Sequence, residues 1–275
     1  MNQQVTNFLM LLLIFMMGVG CNQETTAEDE TVSVTFSTVC EGNSTSRAWG
    51  DASRIDSLTV GVFNARQDEL FRRTFPVRSG SAEVNLRLSK GQTYHFVFWA
   101  YCSSGSLYDL TSLTDIRMGT SHHIRQWSDA EQGDAFYAIQ KDMTVSHSIT
   151  QPITLTRPLA QVNVGTTGSM LPTVLTVGNL PTVFHPLTGT MDTAADITWH
   201  FEGCPSETFV ADGTSYTRLA LAYLLAPLEE TAVSCQIEAS DNEQTEVQSF
   251  PVVHVQANHR TTIAGPLTRK TGSIE

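Results

Sequence analysis

The sequence predicts an all-β protein in which antiparallel sheets pack as β-sandwiches. From residue 31 onward, apolar and polar residues alternate with a period of two, which is the pattern of half-buried strands. No long apolar series at helical spacing interrupts this alternation. Charged residues make up 16% of the chain and apolar residues 41%, a balance that fits an ordered, strand-rich protein rather than a disordered one.

The first part of this region contains five candidate strands. The first, TVSVTFSTV, alternates Val32, Val34 and Phe36 with serine and threonine. Gly80 and Gly91, with their polar neighbours, mark turns between later strands. The predicted strands are residues 31–39, 57–63, 69–77, 82–88 and 93–101. The alternation then fails over residues 102–133, which we expect to form a long surface excursion over the first sandwich.

A second series of strands follows this excursion. The predicted strands are residues 134–138, 148–155, 160–164, 175–177, 196–201, 216–225, 232–239, 252–255 and 261–264. Turn signals at intervals of roughly 8 to 12 residues are typical of sandwiches. We place a domain boundary near residues 156–158, which gives an N-terminal sandwich domain over 31–157 and a C-terminal sandwich domain over 158–275.

The N-terminus carries the pattern of an export signal. Residues 8–20 form an apolar run that is too short for a transmembrane helix of about 20 residues and is typical of a signal-peptide core. The run ends in Gly-Val-Gly-Cys, which resembles a bacterial lipobox. This resemblance implies a signal peptide over 1–20 and lipidation of Cys21. The alternative is an ordinary secretory signal followed by an unrelated cysteine.

The segment behind Cys21 predicts where the protein is anchored. Residues 21–30 contain a polar and acidic stretch, NQETTAEDE, which indicates a flexible tether. Acidic residues in this place resemble the surface-export signal of Bacteroidetes lipoproteins. Asn22 also differs from the aspartate that keeps many lipoproteins at the inner membrane. We therefore expect a lipid-anchored protein of the cell outer membrane that faces outward.

Charge and motifs argue against several functions. With 16 Lys and Arg against 28 Asp and Glu, the net charge is −12, which disfavours nucleic acid as a partner. Neither an HExxH nor a Gly-x-Ser-x-Gly motif occurs, so we expect no enzymatic activity and no cofactor. The adjacent His122 and His123 are expected to be solvated loop residues. No Cys-x-x-Cys pair is present, so no metal site is predicted.

The remaining cysteines are candidates for disulfide bonds. Their number is even, and the protein is expected to leave the reducing cytoplasm. The four allow three pairings, and the sequence does not choose among them. They are Cys40, Cys102, Cys204 and Cys235.

A candidate ligand surface lies in the 102–133 excursion. Trp127 stands there beside Arg125, and loops carry binding function more often than sheets do. An exposed indole could stack on a sugar ring, so a surface glycan-binding lipoprotein is the alternative function that we keep. The competing interpretation is that Trp127 pins the loop to the sandwich. Trp99, within FVFWA, is expected to belong to the core.

Five short blocks resemble the fimbrillin-like lipoproteins of Bacteroidales, and they occur in that family's order. The blocks are YHFVFWA (94–100), DAFYA (134–138), RPLAQVNVGT (157–166), AYLLAP (222–227) and NHRTTIAG (258–265). The resemblance implies two transthyretin-like β-sandwich domains in tandem. It also implies a structural or adhesive role at the cell surface, in some members as subunits of type V pili. The implied partners are other fimbrillin-type subunits or surface ligands of host or bacterial cells.

The same resemblance implies a mechanism of polymerisation that can be compared with this sequence. In polymerising members, an arginine-specific protease removes the first strand, and a strand from the next subunit fills the groove. The equivalent bond here is Arg47-Ala48, although Arg47 could equally be a solvated loop arginine. A Cys40–Cys102 disulfide would keep the first strand tethered after cleavage. Only Ile274 is a large apolar residue among the last seven, so we expect an anchor, a tip or a stand-alone protein.

Overall fold

A computed structural model describes residues 30–41, 52–105, 107–168, 170–240 and 245–266, and it confirms the all-β prediction. The strands up to residue 155 are β1 (Thr31–Cys40), β2 (Ser57–Asn64), β3 (Glu69–Pro76), β4 (Ser81–Ser89), β5 (Thr93–Tyr101), β6 (Tyr108–Asp109), β7 (Ile116–Met118), β8 (Ser121–Ile124), β9 (Ala135–Thr144) and β10 (Ile149–Leu155). One short helix, α1 (Trp127–Glu131), stands between β8 and β9.

The later strands are on average longer. They are β11 (Leu159–Thr166), β12 (Leu171–His185), β13 (Thr190–Phe201), β14 (Thr208–Ala211), β15 (Thr214–Leu225), β16 (Thr231–Ser240), β17 (Thr245–Val255) and β18 (Arg260–Gly265). Each strand predicted from the alternation has a counterpart among the observed strands. The β12–β13 hairpin is much longer than predicted, because its two strands stay paired through Pro181↔Ala194 and out to His185↔Thr190.

Four sheets enclose two apolar cores. The first core lies between a sheet of order β10-β1-β4 and a sheet of order β3-β2-β5-β9. The second lies mainly between a sheet of order β14-β15-β11-β18 and a seven-stranded sheet whose main path is β17-β16-β12-β13-β8. The proposed boundary at 156–158 falls between β10 and β11. The division into two domains remains a prediction.

Strand β5 is buried on both of its faces, which explains why its sequence does not alternate. Phe96 and Phe98 belong to the first core, whereas Val97 and Trp99 belong to the second. The ring of Trp99 lies 6.0 Å from that of Phe184 in β12. A strand covered on both faces becomes a continuous apolar run, here TYHFVFWAY. The prediction that Trp99 is a core residue is confirmed.

The expectation that residues 102–133 form a surface excursion over the first sandwich is wrong. These residues do not lie as a loop over the first sandwich, because β8 pairs in parallel with β13 and β7 pairs with β12. Leu113 then packs on β2, where a Cβ on Gly61 would lie 2.7 Å from its Cδ1 atom. The segment therefore joins the second sheet system to the outer face of the first. Within the described residues, no helix is both long and apolar enough to span a bilayer.

Candidate functional site

The first strand, β1, is the central strand of its sheet. It pairs antiparallel with β4 from Thr31↔Ser89 to Val39↔Ser81 and in parallel with β10 from Val34↔Ile149 to Cys40↔Leu155. The backbone N–H and C=O groups on both edges of β1 are thus paired, with β4 on one side and, from Val34 onward, with β10 on the other. Removing β1 would leave β4 and β10 with unpaired edges facing each other, which is the kind of gap that an added strand can fill.

The inward face of β1 is deeply buried. Val34 and Phe36 are fully buried, and the polar Thr38 satisfies its hydroxyl by donating to the Ala82 carbonyl oxygen at 2.9 Å. The Phe36 ring meets the rings of Phe96 and Phe98 edge-on, at centroid distances of 4.9 and 5.1 Å. Edge-to-face pairs of this kind add to the effect of apolar burial. The first core therefore depends on β1.

The end of β1 is fixed against the β3–β4 turn. Cys40 donates its backbone N–H to the Gly80 carbonyl oxygen at 2.8 Å. Ser79 and Gly80 both have positive φ, 49° and 71°, as a two-residue hairpin turn of type I′ requires. The next residues of the chain, including Arg47 and Ala48, lie outside the described residues, as does Cys21.

The four cysteines do not form the predicted disulfides. Cys40, Cys102, Cys204 and Cys235 are all buried free thiols, so the hypothesis of a Cys40–Cys102 tether is wrong in this structure. The Cys102 sulfur lies 3.2 Å from the Ser104 hydroxyl instead. Burial raises the pKa of Cys40 and of Cys235 to about 12, which keeps both thiols protonated at neutral pH.

Trp127 is not an exposed binding platform. Only 5% of the residue is accessible, and the indole N–H donates to the Pro205 carbonyl oxygen at 2.9 Å. Its ring lies 5.6 Å from that of Phe201, and the Arg218 guanidinium lies 5.5 Å from it. The sugar-stacking interpretation is therefore wrong for Trp127, which pins α1 to the later strands. Arg125 is exposed just before the helix.

The histidines of this region split between core and surface. His122 is buried against Trp199, with ring centroids 5.5 Å apart, so the expectation of a solvated residue is wrong for it. Desolvation lowers the pKa of His122. His123 faces the other side of β8, where its Nδ1 lies 3.0 Å from a Glu202 carboxylate oxygen. Among the described residues, no group of three or more ligating side chains could hold a metal ion.

A third histidine, His185, bridges two carboxylates at the surface end of β12. Its Nδ1 lies 2.7 Å from an Asp115 oxygen and its Nε2 lies 3.0 Å from an Asp192 oxygen. The hydrogen bond to Asp192 is the main cause of a raised pKa for His185, and Asp115 adds to it. The bridge joins the segment before β7 to the β12–β13 hairpin.

The family-like blocks meet in a buried polar network. Arg157, which lies between β10 and β11, donates from Nε and Nη2 to the two carboxylate oxygens of Asp134 at 2.6 and 2.8 Å. Its Nη1 donates to the Asn258 side-chain oxygen at 3.0 Å. The guanidinium also lies 4.4 Å from the Phe136 ring. One buried cation thus joins three segments that are far apart in sequence.

The network continues into the second sheet system. Gln161 of β11 is opposite Tyr223 of β15 and Arg260 of β18, and it accepts from Arg260 Nε at 2.6 Å. Burial, reinforced by the Asp134 charge, raises the pKa of Tyr108 and of Tyr223, so both phenols stay neutral. Loss of one partner from the buried Arg157–Asp134 pair would be strongly destabilising, because the other charge would stay buried.

The sequence did not indicate that these residues contact one another in a buried network. The signal was present, because Asp134, Arg157 and Asn258 each stand at the start of a quoted block. A charged residue directly before an apolar strand ordinarily faces solvent. Only the topology shows that these three strand starts lie together and are buried.

Several solved structures share this fold. A candidate adhesin from Bacteroides ovatus is 14% identical and matches 80% of this chain and 78% of its own, with a TM-score of 0.51. A candidate polysaccharide-binding protein (DUF1812) from Bacteroides thetaiotaomicron is 14% identical over 80% of both chains, with a TM-score of 0.50. A candidate cell adhesion protein from Bacteroides fragilis is 10% identical over 88% of this chain and 95% of its own, with a TM-score of 0.50.

These comparisons define the class of the chain by its fold: it is an all-β chain with the fold of Bacteroides proteins described as candidate adhesion or polysaccharide-binding proteins. At such low identities the likeness establishes the fold and nothing more. The family is shown by sequence. The chain belongs to DUF6562, a family of unknown function, whose model matches residues 24–275. No curated protein matches it.

Proposed function

We propose that this protein is a cell-surface structural or adhesive lipoprotein of fimbrillin type, held in the outer membrane by a lipid on Cys21. In this proposal it acts as an anchor, a tip or a stand-alone member of a type V pilus-like system, without catalysis. The sequence resemblance to fimbrillin-like lipoproteins supports the class. The fold shared with candidate adhesins is consistent with it.

The observation that carries the proposal is the position of β1. Cys21 precedes Thr31, the first residue of β1, by only ten positions, so a lipid there would load this strand directly. Because β1 pairs along its length with β4 and over most of it with β10, a pull along the strand loads both ladders in shear. Phe36 adds a buried side chain that must leave the core before β1 can slide. A retained β1 is thus well suited to an anchor.

Strand exchange is the contrasting mechanism within the same class. The free thiol of Cys40 means that cleavage at Arg47 would leave no covalent link through Cys102, so one expected obstacle to exchange disappears. The remaining obstacle is energetic: the strand would have to leave two ladders and a buried aromatic cluster.

The N-terminus of the protein at the surface of its own cells tests this proposal. We expect Edman sequencing and intact mass to show an acylated Cys21 with β1 retained. A Cys21→Ala variant should leave the membrane fraction, and an Arg47→Ala variant should keep the wild-type N-terminus. A mature protein that starts at Ala48 would contradict the anchor proposal and support strand exchange. Cross-linking on intact cells should capture the partner subunits.

A further inference from the structure

A small basic pocket lies where the two sheets of the first core come together at their edges. Strand β3 is the edge of one sheet and β4 the edge of the other, so the pocket opens at the side of the sandwich. Its volume is about 200 Å³. It is lined by Ser33, Phe71, Arg73, Asn85, Leu86 and Arg87.

The two arginines of this pocket carry positive charge that no neighbouring carboxylate neutralises. The arginine ion pairs of the described residues involve Arg54, Arg66, Arg72, Arg157 and Arg218. Arg73 and Arg87 are therefore without an acidic partner in the described part of the chain. The contrast with Arg72 is clear, since its Nε and Nη2 donate to both oxygens of Glu69 at 2.6 and 2.7 Å. Two arginines without an ion pair thus line the same pocket, in a chain whose net charge is −12.

The surrounding side chains hold these arginines in place. The Arg73 guanidinium lies 5.6 Å from the centroid of the Phe71 ring, a cation–π contact that orients the group without removing its charge. Arg87 donates one hydrogen bond from Nη2 to the Thr31 hydroxyl at 3.1 Å, which leaves most of its five N–H donors for a ligand.

One acidic residue borders the pocket. Asn85 accepts from the Thr35 hydroxyl at 2.7 Å and donates to the Glu83 carboxylate at 2.8 Å. Glu83 precedes Asn85 by two positions in β4 and does not line the pocket, whereas Arg73 and Arg87 do. The local charge stays positive.

We propose that this pocket binds the acidic unit of a saccharide. The carboxylate of a uronic acid would be bound by Arg73 and Arg87, whose planar groups match carboxylate geometry. Its ring would pack against Phe71, and Ser33 offers a hydroxyl for a sugar oxygen. A volume of about 200 Å³ is below the roughly 300–1,000 Å³ of sites that enclose a drug-sized ligand, so the pocket takes one sugar unit.

The charge of the whole protein selects among anionic ligands. A net charge of −12 repels densely charged polymers such as nucleic acids, whereas a sparsely acidic polysaccharide brings a single carboxylate to the pocket. This inference goes beyond the anchoring role and does not depend on how the N-terminus is processed. It also places glycan recognition far from Trp127, on the edge of the first sandwich.

The test compares two disaccharides that differ in one group. Cellobiouronate, a glucuronosyl-glucose, carries a carboxylate where cellobiose carries a hydroxymethyl group. Calorimetric titration of the purified full chain should show binding of cellobiouronate, weakening at high salt, and none of cellobiose. Arg73→Gln and Arg87→Gln should each weaken binding by about tenfold or more, the usual effect of losing a hydrogen bond to a charged group.

The matched control is Arg78→Gln. Arg78 is exposed in the turn between β3 and β4, and its replacement changes the net charge equally, but it does not line the pocket. This variant should bind like the wild type. The exposed positions of Arg73 and Arg87 mean that melting temperatures should move by no more than about 2 °C, which excludes unfolding as the cause.

Three results would overturn the proposal. The first is the absence of cellobiouronate binding by the wild-type chain. The second is equal binding by the Arg73→Gln and Arg87→Gln variants and the wild type. The third is equal affinity for cellobiouronate and triglutamate, which would define a general acidic-peptide surface instead of a saccharide site. An intermediate affinity for Arg73→Lys, which keeps the charge but loses the planar donor pair, would support the proposed geometry.

Discussion

Replacing Arg157 by methionine should destabilise the protein severely. The substitution removes, among others, the hydrogen bonds of 2.6, 2.8 and 3.0 Å that Arg157 donates to Asp134 and Asn258, and it takes this guanidinium away from the buried Asp134 carboxylate. Breaking a buried ion pair from one side costs about 3–5 kcal/mol, because the remaining charge loses its partner but does not regain water. For a chain of this size, each kcal/mol shifts the melting temperature by about 2–4 °C, so we expect a fall of about 6–20 °C.

Thermal and urea unfolding of matched variants would measure this effect. The control is Arg54→Met, since Arg54 pairs with Glu131 at 3.0 Å while both side chains stay substantially exposed. Its loss should amount to at most about 1 kcal/mol. Replacing both partners, in Asp134→Leu with Arg157→Met, should restore part of the stability because no charge is left buried. A melting temperature for Arg157→Met within about 2 °C of wild type would refute the reasoning.

Three further predictions follow from features of the fold. Phe36→Ala should cost about 3–5 kcal/mol in chemical denaturation, whereas Val39→Ala on the half-exposed face of the same strand should cost far less; equal losses would contradict the assigned core. The raised pKa of His185 means that its bridge stabilises the fold fully below the ordinary value of 6.5 and loses this effect as pH rises through the folded-state pKa. The melting-temperature advantage of wild type over His185→Gln should therefore be larger near about pH 5.5 than near about pH 8.5, and a constant difference would rule this out. Finally, Cys40 and Cys235 should resist alkylation in the native protein and react fully in denaturant without reductant; thiols that appear only after reduction would show that disulfides form.

The alternation is clearest in strands that have one solvent-exposed face, although the doubly buried β2, β5 and β11 were predicted as well. β1 and β4 alternate cleanly because one side of each faces solvent, and their burial follows the sequence pattern residue by residue. The short strands β6, β7, β8 and β14 escaped prediction. Their two to four residues are too few for a period to show, and they are strands only because a neighbouring strand supplies hydrogen bonds.

The candidate sites were less predictable than the fold. A tryptophan in a segment without alternation looks like a surface residue, but the segment that carries Trp127 packs under later strands. The pocket at Arg73 and Arg87 combines side chains from β1, β3 and β4, and no spacing within one strand indicates that they converge. The strands that pair with β4 and β3 are β1 and β2, and neither contains an aspartate or a glutamate, but this pairing is known only from the sheet topology.

The double burial of β5 makes the two sheet systems mutually dependent. Were residues 31–155 separated from the remainder, Val97, Trp99 and Phe63 would face water as a contiguous apolar patch, and the isolated piece would tend to associate with itself. Neither half can be transferred alone to another protein without exposing apolar surface, because each half covers apolar side chains of the other. Substitutions on the outer face of β5 are therefore constrained by residues more than eighty positions away, such as Phe184.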